Sequence, residues 1–340
     1  VTIGVVIPCH SQERFLPRTI AALEAALAGR EWRGVLVFAT AAGGDGVPAL
    51  GTHWQIVKPP PAARPLTPGA ARNLGFAHCG GAWVLFVDAD VEVDRAWCDR
   101  ALSVIADEPQ LAGLWGRLEE WFEVPASDAG GVGGSTSGAT RAGSPDMYRV
   151  GDHDHDSDYM ATLAFYRRDA LERAGGYEPR LNSEEDFELG LRLRQRGGLL
   201  RSIAPRAARH WSAPRPSFAE IGRRWRTGLC FGQGQVLKLY LGRPGLAAHL
   251  RRQSLYLMML AIALAAIPAV IVAGVRGLAL WALAPLALLA FMSVRKKSAR
   301  LALHSLLSWS VNAGGLVAGL VLPLPPVTSA ATGRMHPEAP

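Results

Sequence analysis

The chain has 340 residues, 49% of them hydrophobic and 19% charged, a balance that excludes whole-chain disorder. Its 37 glycines follow no period and its cysteines number 4, which excludes collagen-like and disulfide-scaffold architectures. The formal charge of +7 is unevenly spread: residues 1–220 carry 23 basic and 28 acidic side chains, whereas residues 221–340 hold 13 of the 36 Lys and Arg and one acid, Glu338. An acidic body is therefore joined to a basic, apolar tail. Basic residues that flank apolar runs point to a membrane rather than to nucleic acid.

In chain order, Ile3 to Pro8 is a continuous apolar run that predicts a buried parallel strand. Leu16 to Ala28 has helical spacing, with Pro17 suited to a first turn. Gly34 to Ala39 predicts a second strand, and Gly43, Gly44 and Gly46 around Asp45 a loop. Thr67 and Pro68 form an N-cap and N1 pair for a helix through Ala77, stopped by Gly80 and Gly81. Trp83 to Val87 predicts a third strand, followed at once by Asp88-Ala89-Asp90. This alternation implies a parallel sheet with helices on both faces, and ligands that bind beyond the carboxyl ends of its strands. The residues at those ends are Pro8 to Glu13, Ala39 to Gly46 and Asp88 to Asp90. Ala112 to Phe122 is a further strand candidate, and Pro125 to Pro145 a Gly- and Ser-rich loop. Cys9, Cys79, Cys98 and Cys230 form no CxxC and read as reduced, partly buried thiols.

The tail contains three uncharged runs. Gln253 to Val275 covers 23 residues and Gly277 to Val294 covers 18, both near the length that spans a bilayer. The third, Leu301 to Leu322, includes His304, Ser305, Ser308, Ser310 and Asn312 and reads as a weaker span or an interfacial hairpin. Arg243, Arg251 and Arg252 precede the first run, Arg276 alone separates the first two, and Arg295, Lys296, Lys297 and Arg300 precede the third. The positive-inside rule then places the body and the second loop in the cytoplasm, on a multi-pass membrane protein. The opening apolar strand is no basic leader, so a secretory signal is not expected. The expected organisation is the acidic body over 1–225, a basic membrane-proximal connector over 226–253, membrane helices over 254–323 and a tail over 324–340.

Several groups carry chemistry. Two carboxylates one residue apart at a strand end, Asp88 and Asp90, can approach one hard cation; a solvated loop start is the plainer alternative. Asn182 to Leu191 contains Glu185 and Asp186. One of these suits a general base, whereas Ser183 followed by Asp186 equally resembles a capping box. Arg72 offers a planar fork for a base edge or a phosphate, or is an exposed helix arginine. Asp152 to Asp158, with His153 and His155, reads as a metal-binding run or as a hydrated polar loop.

In combination, IPCHSQE, GAARNLGFAHCGGAWVLFVDADV and FYRRDALERAGGYEPRLNSEEDFELGLRLRQRG resemble glycosyltransferase family 2 over roughly Val1 to Trp225. These are inverting nucleotide-sugar transferases of the GT-A fold, so the resemblance implies an α/β fold with a mostly parallel, Rossmann-like sheet, followed here by an all-α transmembrane segment. It also implies that Asp88 and Asp90 bind Mg²⁺ or Mn²⁺ and the donor diphosphate, with His210 completing that site. Arg72 would lie near the nucleotide base, Pro8, His10 and Glu13 would line the nucleotide, Asp186 would be the base and Glu185 would lie nearer the acceptor. The implied partners are a nucleotide-sugar donor and a lipid or lipid-linked glycan acceptor at the membrane, with no nucleic acid. Two departures stand out. The acid expected at the end of the second strand is replaced by Ala39 and Thr40, leaving Asp45, and Ile221 stands where processive relatives carry Gln in Q-x-x-R-W. A polyprenyl-phosphate acceptor, or a catalytically silent nucleotide-binding scaffold, are the alternative readings.

Overall fold

The computed structural model describes residues 2–44, 47–61, 63–123, 139–141, 153–161, 163–212 and 217–327. The chain divides into two compact units: Val1–Leu181 with Glu185–Pro214 and Pro325–Pro340, and Asn182–Glu184 with Arg215–Leu324.

The first unit is built on a ten-stranded sheet. Its strands are β1 (Ile3–Cys9), β2 (Trp32–Phe38), β3 (Trp54–Val57), β4 (Trp83–Phe86), β5 (Val91–Val93), β6 (Leu111–Glu123), β7 (Ala139–Arg141), β8 (His155–Asp156), β9 (Ala164–Arg167) and β10 (Leu199–Ser212). The order is β3-β2-β1-β4-β9-β6-β10-β5, with β7 on β6 and β8 on β10. β3, β2, β1 and β4 run parallel, as do β6 and β10. Between these blocks β9 is antiparallel to both β4 and β6, and β5 is antiparallel to β10. The sheet is thus mixed: β1, β2, β3, β4, β6 and β10 run one way, while β5, β7, β8 and β9 run against their neighbours. Burial on both faces explains why β1 and β4 read as unbroken apolar runs rather than alternating ones.

Helices α1 (Leu16–Ala26), α2 (Pro68–His78), α3 (Arg95–Asp107), α4 (Arg168–Ala174) and α5 (Glu185–Gln195) cover the sheet. α1 and α3 pack one core, which includes Leu16, Leu23, Trp97 and Ile105. α2, α4 and α5 pack the other, which includes Ala70, Leu74, Leu171 and Leu189. Each fully buried Leu contributes about 1.5–3 kcal/mol, so the two layers hold the strand ends rigidly. α2 starts where Thr67 and Pro68 predict it: the Thr67 hydroxyl accepts from Ala70 N at 3.1 Å and donates to Pro179 O at 2.7 Å. Such a cap is worth ~1 kcal/mol. Gly75 lets α2 lie against the sheet, since a Cβ there would sit 2.3 Å from Val6 Cγ1 and 2.9 Å from Val37 Cγ2. The four cysteines are buried and unbridged.

The second unit is helical: α6 (Ser217–Arg226), α7 (Gly232–Tyr240), α8 (Leu246–Arg252), α9 (Ser254–Leu264), α10 (Ala266–Lys296) and α11 (Ala299–Val321). The stretch expected as a connector therefore contains α7 and α8. Two stretches are long and apolar enough to cross a membrane, Ser254–Lys296 and Ala299–Val321. The first folds back on itself. Gly274 has φ 55° and ψ −135°, a conformation outside the helix, and Trp281 Nε1 donates to Ile262 O at 2.6 Å. Nineteen residues of straight helix would hold those groups about 28 Å apart. The reversal at Gly274 is two residues before Arg276, where the sequence separates its first two runs. The apolar side chains of this hairpin face outward, with Val272 85% and Val275 84% exposed.

The third run is a single helix, which corrects the interfacial-hairpin alternative. Its polar residues are absorbed locally. Buried Asn312 accepts from Gln233 Nε2 at 3.3 Å and donates to Ser308 O at 2.8 Å. Ser305 and Ser310 each donate to the carbonyl one turn back, at 2.9 Å.

Candidate active site

The carboxyl end of β4 sets the site. Val87 N donates to Val6 O at 3.0 Å, which carries the strand one residue further along β1. The Asp88-Ala89-Asp90 turn is then pinned twice through its backbone. Thr19 Oγ1 donates to Ala89 O at 2.9 Å, and Trp211 N donates to Asp90 O at 2.8 Å. α1 and β10 therefore fix the turn, and its two side chains diverge.

Asp88 faces α2. Arg72, only 4% exposed, donates from Nη2 to Asp88 Oδ1 at 3.0 Å and from Nη1 to Glu185 Oε1 at 2.6 Å. Asp186 Oδ1 lies 4.0 Å from the same Nη1. One guanidinium thus joins the D-x-D turn to the Glu-Asp pair that opens α5. Its face lies over the Tyr177 ring, 5.3 Å from the centroid, a cation–π geometry. Burial opposes the charge on Arg72, but Asp186, Asp88 and Glu185 outweigh that and hold its pKa well above the usual range. For Asp88 burial dominates: it raises the pKa against the pull of Arg72, with neighbouring Asp90 adding to the rise.

Asn73, next to Arg72, fixes the opposite wall. Its Nδ2 donates to Tyr177 O and its Oδ1 accepts from Tyr177 N, both at 2.8 Å. The Arg72-Asn73 dipeptide is therefore bonded on both sides within the fold. It is not the exposed helix arginine that spacing alone allows.

Asp90 faces the other way. Its Oδ1 is buried, has no hydrogen-bond partner, and lies 3.4 Å from His210 Nε2. The opposite ring nitrogen, Nδ1, lies 2.8 Å from Glu120 Oε2. Burial disfavours the charged imidazole, but interactions with Asp90 and Glu120 outweigh it and push the His210 pKa up to about 10.

Asp88, Arg72, Glu185 and Asp186 thus form one group, and Asp90 with His210 a second on the same turn. Half-buried Pro8, exposed His10 and half-buried Glu13 occupy the carboxyl end of β1 and the turn after it. The Ser183 hydroxyl donates to Leu229 O at 2.8 Å, and α5 begins two residues later, at Glu185. Asp45 lies outside the described residues, as does Asp152. The remaining acids of that run are distributed over three arginines: Asp154 on Arg100 at 2.7 Å, Asp156 on Arg201 at 3.3 Å and Asp158 on Arg194 at 2.6 Å. These three do not converge, so the described part of the run is a set of ion pairs. Sequence reasoning missed Glu120, Thr19 and the role of Tyr177. The GGYEP segment contains Tyr177 but gives no sign of its position under Arg72.

Residues 4–175 match the family model described as Glycosyl transferase family 2. The mannosyltransferase PcManGT from Pyrobaculum calidifontis, solved with GDP-Man and Mn²⁺, superposes with TM-score 0.58 over 94% of this chain and 87% of that one, at 17% identity. S. aureus TarS 1-349, solved with UDP-GlcNAc, gives TM-score 0.45 over 72% of this chain and 73% of that one, at 14% identity. No curated protein matches the sequence. The likeness to PcManGT is one of fold, and the fold is of the GT-A kind. With that fold beneath a family match over half of its length, the chain is a glycosyltransferase and belongs to family 2.

Proposed function

We propose that this chain transfers a sugar, with inversion, from a nucleotide-sugar donor to a hydroxyl group of a membrane-associated lipid or lipid-linked acceptor. The observation that carries the reading is the single buried guanidinium of Arg72 on Asp88 and Glu185, with Asp186 beside it. This supports the reading, because Asp88 on the proposed donor side and the Glu-Asp pair on the proposed acceptor side share one guanidinium. Glu185 is 9% exposed and bonded to Arg72, whereas Asp186 is 24% exposed and lies beyond hydrogen-bond distance of that guanidinium. Asp186 is thus the carboxylate that an acceptor can reach. It takes the proton of the acceptor hydroxyl as that oxygen attacks the anomeric carbon. A single in-line displacement inverts that centre, and no covalent sugar–enzyme intermediate forms.

Among the described residues, no three His, Cys, Asp or Glu side chains converge as a metal centre. The chemistry nevertheless fits a divalent cation at Asp90. A buried carboxylate oxygen without a hydrogen-bond partner faces an imidazole nitrogen at 3.4 Å, and the carboxylate is a donor that suits Mg²⁺ or Mn²⁺. Asp90 and His210 would hold it; Asp88, turned to Arg72, does not join them in this arrangement. When bound, the cation neutralises charge on the departing nucleoside diphosphate. That PcManGT was solved with GDP-Man and Mn²⁺ supports a nucleotide-sugar donor and this metal class.

The membrane part of the proposal rests on the outward apolar hairpin and on charge. Helix α6 carries Arg223, Arg224 and Arg226 together with exposed Phe218 and Trp225, a composition suited to an anionic leaflet. Enzyme and lipid acceptor confined to one plane meet at a higher effective concentration without added contacts. Reporter fusions after Trp225, Arg276, Arg300 and Pro340 are expected to read inside, outside, inside and outside. An outside signal after Trp225 or Arg300 overturns the orientation. A donor screen with UDP-, GDP- and dTDP-sugars, read as nucleoside diphosphate release, tests the activity. At least one donor is expected to turn over faster with lipid-linked than with water-soluble acceptors. Release from none of them overturns the transfer reading, and equal rates overturn the lipid acceptor alone.

A further inference from the structure

His210 lies on β10 between two partner strands. It is paired with Glu120 on β6 in a parallel register and with Val91 on β5 in an antiparallel one. Glu120 and Asp90 thereby approach opposite nitrogens of one ring. Glu120 Oε2 lies 2.8 Å from Nδ1, and Asp90 Oδ1 lies 3.4 Å from Nε2. A carboxylate only accepts hydrogen bonds, so the Nδ1 atom is the one that carries hydrogen in this contact. Once the ring gives up its other proton, as binding a cation requires, its lone pair is on Nε2, on the side of Asp90. Both groups are shielded, with the His210 side chain 15% and the Glu120 side chain 18% exposed.

We infer that Glu120 is a positioning residue: its carboxylate fixes the tautomer and the tilt of His210, so that Nε2 faces Asp90 and the cation site the two would share. The inference rests on the proposed reading of Asp90 and His210 as metal ligands. It concerns a residue that no motif marks and that touches neither donor nor acceptor in that reading. Metal-bound histidines commonly hold their second ring N–H on a carboxylate, and loss of that partner typically weakens metal affinity 10–100-fold. The backbone of the Asp90 turn is held independently, by Thr19 and by Trp211 N. Removing the Glu120 carboxylate therefore loosens the ring while leaving the turn in place.

The test is Mn²⁺ titration of the full chain in detergent, followed by EPR of the free ion, together with electron spin-echo modulation from an imidazole nitrogen. Wild type is expected to show the modulation, and H210A to lack it. E120A is expected to bind Mn²⁺ about 10–100-fold more weakly with reduced modulation. E120Q, which keeps an acceptor oxygen, is expected to lose less. If E120A does not fold, E120S is the second truncation, and the same weakening is expected of it. Wild-type Mn²⁺ affinity and modulation in the truncated variant, with both lost in D90N, overturn the role of Glu120 and leave the metal site standing. Wild-type affinity in D90N overturns the metal site, and this inference with it.

Discussion

Asp186→Asn is expected to bind donor normally and to transfer sugar about two orders of magnitude or more slowly, the range that loss of a general base produces. The expectation rests on the division of work proposed for the Glu-Asp pair. Glu185 is bonded to buried Arg72 at 2.6 Å, whereas Asp186 is 24% exposed and 4.0 Å from the same nitrogen. Asparagine preserves the shape and removes the proton acceptor. The competing account makes Asp186 a first-turn acid on α5, favoured by the helix dipole. That role is worth about 0.3–1 kcal/mol of stability and nothing in rate. Melting temperature and turnover measured on the same variant separate the two. A normal rate with lowered stability removes Asp186 from the chemistry. A normal rate with a polyprenyl-phosphate acceptor points to a nucleophile that needs no base.

The strand ends and the cap of α2 were legible because they are local. IGVVIP and WVLFV are buried on both faces and so lack alternation. Thr67-Pro68 carries its own capping chemistry, and the D-x-D turn follows its strand directly. What the sequence hides is pairing over long separations. Arg72 meets Glu185 across 113 positions, and nothing in either segment states that they touch. Glu120 becomes visible only once β6 and β10 are paired in register. The antiparallel strand β9, between two parallel blocks, is likewise a product of topology and not of composition. In the tail, the polar residues of the third run argued for an interfacial hairpin. The competing effect was internal bonding, with Asn312 satisfied by Gln233 and by its own helix. A buried polar group with partners does not break a helix.

Arg72→Met is expected to destabilise the first unit by about 3–5 kcal/mol, the loss typical when one partner of a buried ion pair is removed. Methionine fills much of the same volume, so the loss is electrostatic rather than a packing void. It leaves Asp88 and Glu185 turned toward each other in a shielded site with no cation between them. Against a total stability of ~5–15 kcal/mol for a domain, such a change shifts the midpoint of thermal or denaturant unfolding well outside experimental scatter. Arg72→Lys is expected to recover only part of the loss. A lysine ammonium is a point charge and does not reproduce the two diverging N–H groups that reach Asp88 and Glu185 separately. Combining Arg72→Met with Glu185→Gln removes one of the stranded charges and is expected to restore stability above that of Arg72→Met alone. The pair is in direct contact, so the two changes are not additive. Unfolding midpoints of the four proteins, with wild type as reference, decide the matter. If Arg72→Met unfolds with wild type, the guanidinium is not what joins the D-x-D turn to α5, and that junction must then come from the Asn73–Tyr177 bonds and the packing of α2 against the sheet.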